Sequence, residues 1–354
     1  MILEGKRVLI TGGTGSLGQV LTRRILSGEQ GTPRKVIVLS RDEAKQHDMR
    51  LSYLHKAATT DEVIYENFAR ALEFRIGDVR DFADVSSAVR DADIVVNAAA
   101  MKQVPTCEYF PDQALLTNCF GPVNIVRAIR EQGRAVETVV GVSTDKACEP
   151  VNVMGMTKAL QERTFVAANI LVPRTRFLCV RYGNVLASRG SVIPLFHDQI
   201  RHGGPVTITV PEMTRFLLSL DHAVDTVFAA IAGGGRGETW IPASPAARIV
   251  DVARALVGER PIEIRAQGIR PGEKMHEVLV SGEECRHAYR RGDYYVIAPM
   301  LPELADPGRP KETPLGRELS SADAAVPPAA VVELLRRHAL LVDQVAPSAR
   351  EMLR

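Results

Sequence analysis

The apolar residues of this chain alternate between short continuous runs and longer segments in which they recur at helical spacing. The short runs are typical of buried strands, whereas segments such as Leu115–Ile129 and Val153–Ala167 are typical of amphipathic helices. The runs predicted as strands are Lys6–Thr11, Lys35–Leu39, Ala71–Arg75, Asp93–Asn97, Thr138–Val142 and Phe177–Arg181. Because strands that alternate with helices form right-handed βαβ units, the pattern predicts an α/β fold with a doubly wound parallel sheet.

The alternation weakens after about Asn184, where Gly and Pro become frequent and the apolar runs become short. We therefore expect residues 1–184 to form the larger domain and residues 185–300 to form a smaller C-terminal α/β lobe over the carboxyl edge of the sheet. Residues 301–354 are expected to form an extended arm with a short amphipathic helix at Val331–Leu341. The helical pattern of Ala57–Ala71 predicts a surface or interface helix.

Composition narrows the class of protein. Hydrophobic residues make up 45% and charged residues 24% of the 354 residues, which excludes a disordered chain. The formal charge of +2 gives no net electrostatic field that would attract nucleic acid or an anionic membrane. The charged N-terminus and the absence of an apolar run of about 18 residues predict no signal peptide and no membrane span, and hence a cytoplasmic protein. Five scattered cysteines without paired spacing predict reduced thiols and no metal site.

Three glycines, Gly12, Gly15 and Gly18, stand between the first predicted strand and the first predicted helix. In that context they predict a dinucleotide-binding turn, since Gly12 permits a tight turn, Gly15 a close approach of the pyrophosphate, and Gly18 close helix packing. The helix N-terminus adds amides and a positive dipole for the phosphates. The same segment adds the candidate cofactor-binding residues Thr14, Ser16 and Leu17. The alternative is a glycine-rich turn that binds no ligand. If the turn does bind a dinucleotide, the predicted sheet is of the Rossmann type.

The end of the second strand bears on the choice between NAD and NADP. NAD sites usually place an acidic residue there for the ribose hydroxyls, but this strand is followed by Ser40, Arg41 and Asp42. The Ser40 hydroxyl and the Arg41 guanidinium suit a 2′-phosphate, which favours NADP over NAD. In the alternative, Arg41 is a surface residue and Asp42 binds the ribose.

Later strand ends supply further cofactor candidates. Asp78 follows the third strand, where it could accept a hydrogen bond from the adenine amino group, and the small Ala98 and Ala99 would let the chain pass beneath the cofactor. The remaining expected cofactor-binding residues are Lys45, Val79, Thr117, Asn118 and Lys158.

Polar residues concentrate where the fifth strand ends, at Thr144, Asp145 and Lys146, the edge at which open α/β sheets bind ligands. Lys158 follows Met154 by four residues, so both face one side of the predicted helix. This spacing resembles the Y-x-x-x-K arrangement of short-chain dehydrogenases, with Met154 in place of the usual Tyr. Because a thioether cannot transfer a proton, either the site is degenerate or Thr144, Asp145 and Lys146 carry the protons; Asp145 and Lys146 could otherwise form an exposed ion pair.

At this point the sequence resembles a known family. The segments TGGTGSLG, SRDEAKQ, IGDVRD, AAAMKQVPTCEY, STDKA, VRYGNVLASRGSVIP, MTRF and GIRPGEKMHE occur in the order found in UDP-N-acetylglucosamine 4,6-dehydratases, over about residues 5–300. These are extended short-chain dehydrogenases of surface-polysaccharide biosynthesis, and the Met of M-x-x-x-K resembles their soluble, capsule-type branch. The resemblance implies that strands from later residues join the first sheet, and that the protein is a homo-oligomer, with a hexamer among the possibilities.

The resemblance also implies a reaction on UDP-N-acetylglucosamine in which NADP⁺ takes the C4 hydride and later returns it to C6. Lys146 would remove the C5 proton, with a pKa depressed by burial beside Lys158 and the nicotinamide cation. A protonated Asp145 would donate to the departing C6 hydroxyl, and Thr144 would relay the C4 hydroxyl proton in place of the missing Tyr. Whether C5 is inverted or retained stays open.

Substrate-binding candidates follow from the family motifs and from the charge of a UDP-sugar. Arg189, Arg215 and Arg270 are the phosphate candidates, Asn184 and Lys102 would reach the sugar or α-phosphate, Glu273 would accept from a ribose hydroxyl, and Met154 would line the sugar site. Two alternatives remain: a UDP-sugar 4-epimerase, which needs no C5 base, and a non-catalytic dinucleotide sensor of the same fold.

Overall fold

The computed structural model describes residues 1–54, 61–132, 136–186, 188, 190–305 and 313–344. The strands in these ranges are β1 (Arg7–Thr11), β2 (Lys35–Ser40), β3 (Leu72–Ile76), β4 (Ile94–Asn97), β5 (Thr138–Val142), β6 (Arg176–Val180), β7 (Asn184–Val185), β8 (Val206–Ile208), β9 (Thr214–Leu218), β10 (Thr239–Pro242), β11 (Ala246–Arg248), β12 (Ile264–Ala266), β13 (Val278–Val280), β14 (Ala288–Arg291), β15 (Tyr294–Ile297) and β16 (Leu319–Ser320). The helices are α1 (Ser16–Leu26), α2 (Glu43–Leu54), α3 (Asp61–Ala71), α4 (Phe82–Val89), α5 (Val104–Tyr109), α6 (Pro111–Leu115), α7 (Gly121–Gln132), α8 (Val153–Leu171), α9 (Val192–Arg201), α10 (Leu220–Gly233), α11 (Ile249–Val257) and α12 (Pro328–Arg337).

Nine of the described strands form one sheet in the order β14-β15-β10-β6-β5-β4-β1-β2-β3. Strands β1 to β6 and β10 run parallel, while at one edge β15 pairs antiparallel with β10 and β14 pairs antiparallel with β15. The strand order reverses between β1 and β4, which opens a crevice at their carboxyl ends. The predicted doubly wound, Rossmann-type sheet is therefore confirmed, and residues after 238 complete it.

The core follows the strand pattern. Central strands such as Val36–Leu39 in β2 are buried on both faces, as continuous apolar runs require in a parallel sheet. Aliphatic residues of α1 and α10 cover one face, and α4, α7 and α8 cover the other, where the rings of Phe165 and Phe177 stack at 6.2 Å. The two helical layers hold the carboxyl ends of β1, β4 and β5 in fixed register.

The C-terminal lobe contains three small sheets, β11-β9-β7, β12-β8 and β13-β16. Its own apolar core lies between α9, α11 and α12, with Phe196 and Leu335 fully buried. The expected arm is thus partly folded onto the lobe, because Leu319–Ser320 pairs with β13 and Val331 packs toward α11. The helix predicted at Val331–Leu341 instead spans Pro328–Arg337, since Pro at its first positions starts it earlier and Ala339, with φ of 52°, lies beyond its end.

Two other segments differ from expectation. The helix predicted at Leu115–Ile129 is divided, with a π-helical turn at Leu116–Phe120 between α6 and α7. Of the segment Ala57–Ala71, residues 57–60 lie outside the described residues, and Asp61–Ala71 forms α3. Phe68 of α3 stacks on Tyr53 with 5.4 Å between ring centroids, and Asn67 donates to the carbonyl of Leu26, so α3 packs on α1.

Two kinds of feature are absent from the described residues. None of their helices combines the length and the apolar character needed to cross a membrane. The same residues contain no cluster of three His, Cys, Asp or Glu side chains arranged to hold a metal ion.

Candidate active site

The glycine turn lies where β1 meets α1, at the reversal of strand order. Gly12 has φ of +66°, and a Cβ there would lie 2.7 Å from the Cα of Ala99. Gly15 is the N-cap of α1, and a Cβ on Gly18 would collide with the Cα of Gly13 at 2.4 Å, so Gly18 permits the close helix packing. These contacts require glycine at Gly12 and Gly18 whether or not a ligand binds.

The start of α1 fits a dinucleotide pyrophosphate. Gly15 has no side chain to accept hydrogen bonds from the first-turn amides, so an anion can take that place. Ser16 and Leu17 begin the helix beside it. Thr14 is buried, and its hydroxyl lies 2.8 Å from that of Ser40, which ties the turn to the end of β2.

The region beyond β2 carries the predicted cofactor-selecting residues. The Arg41 side chain is 56% exposed, and its Nη1 lies 3.6 Å from Asp78 Oδ2. Asp78 is paired more closely with Arg80, whose Nη2 lies 2.6 Å from the same oxygen. Asp42 accepts from the amide of Lys45 at 3.0 Å and contacts the Lys45 ammonium, so the start of α2 is capped by Asp42.

The pairing of Asp78 bears on its predicted contact with adenine. Burial raises the pKa of Asp78, but hydrogen bonds and charge from Arg80 and Arg41 outweigh burial and hold it below its usual range. Asp78 is therefore an anion that already has two cationic partners. Val79, next to it, is buried.

The floor of the crevice is formed after β4. Ala98 donates to the carbonyl of Thr11, and Ala99 donates to the Thr11 hydroxyl at 3.3 Å, so both small residues lie directly under the glycine turn. Asn118 is fully buried, and its side-chain amide bonds to the backbone of Met101 and to Thr157. Asn118 therefore acts on the crevice by fixing the loop at Met101. Thr117, in the same π-helical turn, is buried, and its hydroxyl lacks a hydrogen-bond partner among the described residues.

Lys158 lies on α8 and points to the carboxyl end of β5. Its Nζ donates to the carbonyl of Val142 and to Oε1 of Gln161, both at 2.6 Å. Lys158 is 5% exposed, and burial lowers its pKa to about 8. Most of this amine is therefore still protonated near physiological pH, although its neutral form is much more populated than that of an ordinary lysine.

Met154 lies one turn before Lys158 and is 5% exposed. It packs with Cys107 and Ala114 in a small apolar cluster between α5, α6 and α8. Its neighbour Gly155 lies so close to the 145–147 turn that a Cβ would meet the Lys146 carbonyl oxygen at 2.1 Å. The start of α8 is thereby seated directly against the turn that carries Asp145 and Lys146.

Thr144, Asp145 and Lys146 form a connected group after β5. Thr144 Oγ1 donates to Asp145 Oδ1 at 2.8 Å, and Lys146 Nζ donates to the same oxygen at 3.0 Å. Asp145 is fully buried, and its Oδ2 has no hydrogen-bond partner among the described residues. The alternative of an exposed ion pair does not describe this group, because Asp145 and Lys146 are paired but Asp145 is fully buried.

A fourth member, Glu277, was not among the sequence candidates. Its Oε1 lies 3.2 Å from Lys146 Nζ, and its side chain is 2% exposed. The sequence did contain a signal, since Glu277 ends the segment GIRPGEKMHE, whose Arg270 and Glu273 are predicted site residues. Nothing in spacing alone indicated that a residue 131 positions after Lys146 would meet its amine.

The expected depression of the Lys146 pKa is wrong for the ligand-free protein. Burial does lower the pKa, but the charges of Asp145 and Glu277 outweigh burial and Arg215, and the pKa stays above its ordinary value. Lys146 lies beside two carboxylates, whereas Lys158 donates to a carbonyl and an amide oxygen. Lys146 is therefore an ammonium ion in this state.

A cavity of about 870 Å³ opens beside this group and is lined by Asn184, Arg215, Arg270 and Glu273. Asn184 connects the two, because its Oδ1 accepts from Lys146 Nζ at 3.3 Å. Of the remaining substrate candidates, Lys102 is exposed in the loop before α5, and Arg189 lies outside the described residues. Four of the predicted substrate residues are thus brought to one cavity next to Lys146.

The two arginines that line the cavity differ in burial and in the partners of their guanidinium groups. Arg215 is buried and donates to the carbonyl oxygens of Thr214, Lys274 and Met275, with its Nε 3.8 Å from Glu277 Oε1. Arg270 is exposed, and its backbone amide donates to Glu273 Oε2 at 3.2 Å. Arg270 therefore has the freer guanidinium for a phosphate.

A second buried ionic group supports the site from behind. Arg181 follows β6 and donates to Glu162 of α8 at 2.6 Å and to Glu284 of the lobe at 2.7 Å. Burial raises the pKa of Glu284, but Arg181 outweighs it and lowers the value to about 2. Arg181 thus joins the helix of Lys158 to the lobe that carries Glu277.

Comparisons with known proteins place these features in a family. Residues 8–299 match the family described as "Polysaccharide biosynthesis protein". A Rickettsia conorii relative described as UDP-glucose 4-epimerase is 44% identical over 297 residues, which cover 82% of each chain. A Campylobacter jejuni relative described as UDP-N-acetylglucosamine 4,6-dehydratase (inverting) is 41% identical over 303 residues, which cover 85% of each chain.

A solved structure agrees over nearly the whole chain. That of Pen from Bacillus thuringiensis is 32% identical, with a TM-score of 0.85, and the match covers 96% of this chain and 100% of that one. The Bacillus thuringiensis structure therefore shares the fold. The two sequence relatives act, by their descriptions, on UDP-sugars, and those descriptions divide between two activities.

Proposed function

The chain belongs to the polysaccharide biosynthesis protein family, and from this premise we propose that it is an NADP-dependent UDP-N-acetylglucosamine 4,6-dehydratase. The product is a UDP-2-acetamido-2,6-dideoxy-4-hexulose for surface polysaccharide or glycoconjugate synthesis. The observation that carries the proposal is the Lys146 amine 3.0 Å from Asp145 Oδ1, beside Asn184 of the cavity. A C5 base next to a C6 acid is what dehydration needs beyond oxidation at C4.

When bound, the cofactor supplies one kind of chemistry: acceptance of the C4 hydride and its return to C6. Gly15, Ser16 and Leu17 would hold its pyrophosphate at the start of α1, and Ser40 and Arg41 its 2′-phosphate. Arg41 supports NADP over NAD because its half-exposed, positively charged side chain directly follows β2, where NAD sites usually place an acidic residue. The half-exposed guanidinium can turn from Asp78 to a phosphate.

In the proposed reaction the residues after β5 divide the proton transfers. Thr144 relays the C4 hydroxyl proton, since its oxygen can accept while its own proton is donated to Asp145. Lys158 lies close by with a pKa of about 8 and holds the site positive for an anionic alkoxide. Lys146 removes the C5 proton, and Asp145 donates a proton to the C6 hydroxyl as it departs.

A 4-epimerase is the second candidate, because the Rickettsia relative carries that description at 44% identity. An epimerase returns the hydride to C4 on the opposite face and leaves C5 and C6 untouched. It therefore has no use for the buried amine and carboxyl group at Lys146 and Asp145. This difference favours the dehydratase.

One incubation separates the candidates. Purified protein, NADP and UDP-N-acetylglucosamine are incubated, and the product is read by proton NMR. A dehydratase gives a new C6 methyl signal, and the C5 coupling shows whether that centre is inverted or retained. A C4 epimer without a methyl signal would establish the epimerase, and unchanged sugar with bound cofactor would indicate a sensor.

We also propose that the protein is a homo-oligomer. Apolar side chains on the adjoining α7, α8 and π-helical turn are exposed, and these are Leu116, Phe120, Val123, Met156 and Leu160. An exposed apolar face of this kind usually marks a contact between chains. Light scattering should give a mass of at least two chains, and Leu160→Glu should reduce it; a monomeric wild type would exclude the assembly.

A further inference from the structure

Glu277 has no assigned role in the reaction proposed above. Its carboxylate lies between the Lys146 amine, 3.2 Å from Oε1, and the Arg215 guanidinium, 3.8 Å from the same oxygen. Its second oxygen, Oε2, is buried and has no hydrogen-bond partner among the described residues, and the same holds for Oδ2 of Asp145. Two poorly solvated carboxyl oxygens thus flank one lysine amine.

The backbone of Glu277 is fixed from the C-terminal arm. The Glu277 amide donates to Ser321 Oγ at 2.8 Å, and the Ser321 amide donates to the Glu277 carbonyl at 2.8 Å. Ser321 Oγ also bonds to Thr214, next to Arg215. These paired bonds hold the carboxylate against Lys146, so the contact is a built feature of the site.

The charges of the group create a difficulty for a lysine base. The charged neighbours of Lys146 are Asp145 from its own turn, Glu277 from the lobe and Arg215 from β9, while His276 bonds instead to Thr214. Burial and the Asp145 charge raise the pKa of Glu277 above its usual value, against the opposing effects of Lys146 and Arg215. The ammonium must lose a proton before it can act, and Glu277 is a buried carboxylate ready to accept one.

We propose, on the premise that the chain is the dehydratase described above, that Glu277 is a positioning residue that takes the proton of Lys146 once substrate covers the site. An N–H bond of the ammonium breaks and an O–H bond forms on Glu277, so an ion pair becomes a neutral pair. Enclosure favours that change because two opposite charges lose their hydration together. The neutral Lys146 then takes the C5 proton, and Asp145 gives the C6 hydroxyl the proton that Thr144 has relayed to it from the C4 hydroxyl.

A purely electrostatic role for Glu277 predicts the opposite result for its removal. Without the Glu277 charge the ammonium is less stable, so more of Lys146 is neutral and the C5 proton exchanges faster. If Glu277 stores the proton, removal slows exchange even though the pKa of free Lys146 falls. Two measurements on one variant therefore separate the two roles.

The variant is Glu277→Gln. In the ligand-free enzyme, competitive labelling of lysines with acetic anhydride over a pH series, read by mass spectrometry, gives the Lys146 pKa; we expect a fall of roughly 1–3 units, the range for losing an adjacent opposite charge. With UDP-N-acetylglucosamine and NADP in D₂O, C5 exchange should fall by about 10²-fold, as on loss of proton-transfer assistance.

Asp251→Asn is the matched control, since Asp251 is an equally buried carboxylate paired with Arg248 at 2.7 Å, away from Lys146. It should leave the Lys146 pKa and C5 exchange unchanged. Glu277→Asp keeps the carboxyl group and should exchange faster than Glu277→Gln, and it serves if the amide variant fails to fold.

Three results would overturn the inference: C5 exchange in Glu277→Gln at or above the wild-type rate, an unchanged Lys146 pKa, or Glu277→Asp no faster than Glu277→Gln. A wild type that shows no C5 exchange and forms no C6 methyl product would instead overturn the proposed dehydratase. The labelling experiment needs no turnover, so the two failures are distinguishable.

Discussion

The Lys158 amine lies 2.6 Å from the carbonyl oxygen of Val142, so a side chain of α8 is anchored to the last residue of β5. This contact fixes the helix at the strand end where Thr144 and Asp145 follow. It also keeps the amine out of water, which is why its pKa falls to about 8. The effect has a measurable consequence for stability.

Between pH 8 and about 10.5 the unfolded state binds more protons than the folded state, because only the unfolded lysine keeps its usual pKa. The free energy of unfolding therefore rises with pH across that window. Below pH 8 the folded protein bears the full cost of burying the Lys158 ammonium ion. Urea unfolding of wild type and Lys158→Met should show their difference in free energy changing by about 3 kcal/mol in favour of wild type over the window. A difference independent of pH would contradict the assignment.

Arg41→Ala should weaken NADP binding by about 1.5–3 kcal/mol, the range for a hydrogen bond to a charged group. NAD lacks the 2′-phosphate, so its affinity should stay unchanged. Calorimetric titration with both cofactors measures the difference. Equal losses for both would mean that Arg41 contacts the shared part of the cofactor or only stabilises the loop with Asp78.

Met154→Leu should retain turnover, with a stability cost below about 1.5 kcal/mol, because Met154 fills an apolar cluster with Cys107 and Ala114. Product formation by NMR and thermal unfolding check the two parts. A folded variant with lost turnover would show that the thioether contacts the sugar in a way that packing does not explain.

Lys146→Ala should lose dehydration by about 10²–10⁴-fold, the usual effect of removing a general base. Exchange of the C5 proton in D₂O should be lost with it, while UDP-N-acetylglucosamine and NADP still bind. Asp145→Asn should keep C5 exchange and fail to expel the C6 hydroxyl. Wild-type exchange in Lys146→Ala would place the base elsewhere.

Arg181→Met should destabilise the fold by about 3–5 kcal/mol, because it leaves Glu162 and Glu284 buried without their cation. Arg265→Met provides the comparison, since Arg265 pairs with Glu263 at 2.9 Å on the surface, where such pairs contribute about 0–1 kcal/mol. Denaturant unfolding of both variants measures the contrast. Similar small losses would show that the buried group is hydrated or rearranges.

The sequence was most informative where one segment determines its own structure. The run before Gly12 and the spacing to Gly18 identify a strand, a turn and a helix locally, and the chain order then places Thr144–Lys146 at the sheet edge. The π-helical turn at Leu116–Phe120 escaped the pattern because its apolar residues keep nearly helical spacing. The spacing of apolar residues does not distinguish a single π-helical turn from the α-helical turns on either side of it.

The contacts that set the chemistry of Lys146 were harder to predict because they come from distant parts of the chain. Glu277 reaches the amine only because the lobe folds back over the sheet and Ser321 fixes its backbone. The Lys146 pKa of the ligand-free protein depends on that carboxylate, so its predicted direction was wrong when argued from burial and neighbouring cations. Without the tertiary contacts, the sequence does not determine whether the pKa of Lys146 is raised or lowered.

Strand β10, at Thr239–Pro242, covers the edge of β6, and β15 and β14 extend the sheet from there. During synthesis, β6 is complete well before β10 leaves the ribosome, and at about 5–20 residues per second the delay lasts several seconds. Throughout that time a nascent chain presents an apolar strand, Phe177–Val180, with an unpaired edge. Expression of fragments that end near residue 184 should therefore favour aggregation, and co-expressed chaperones should matter more for them than for the full chain.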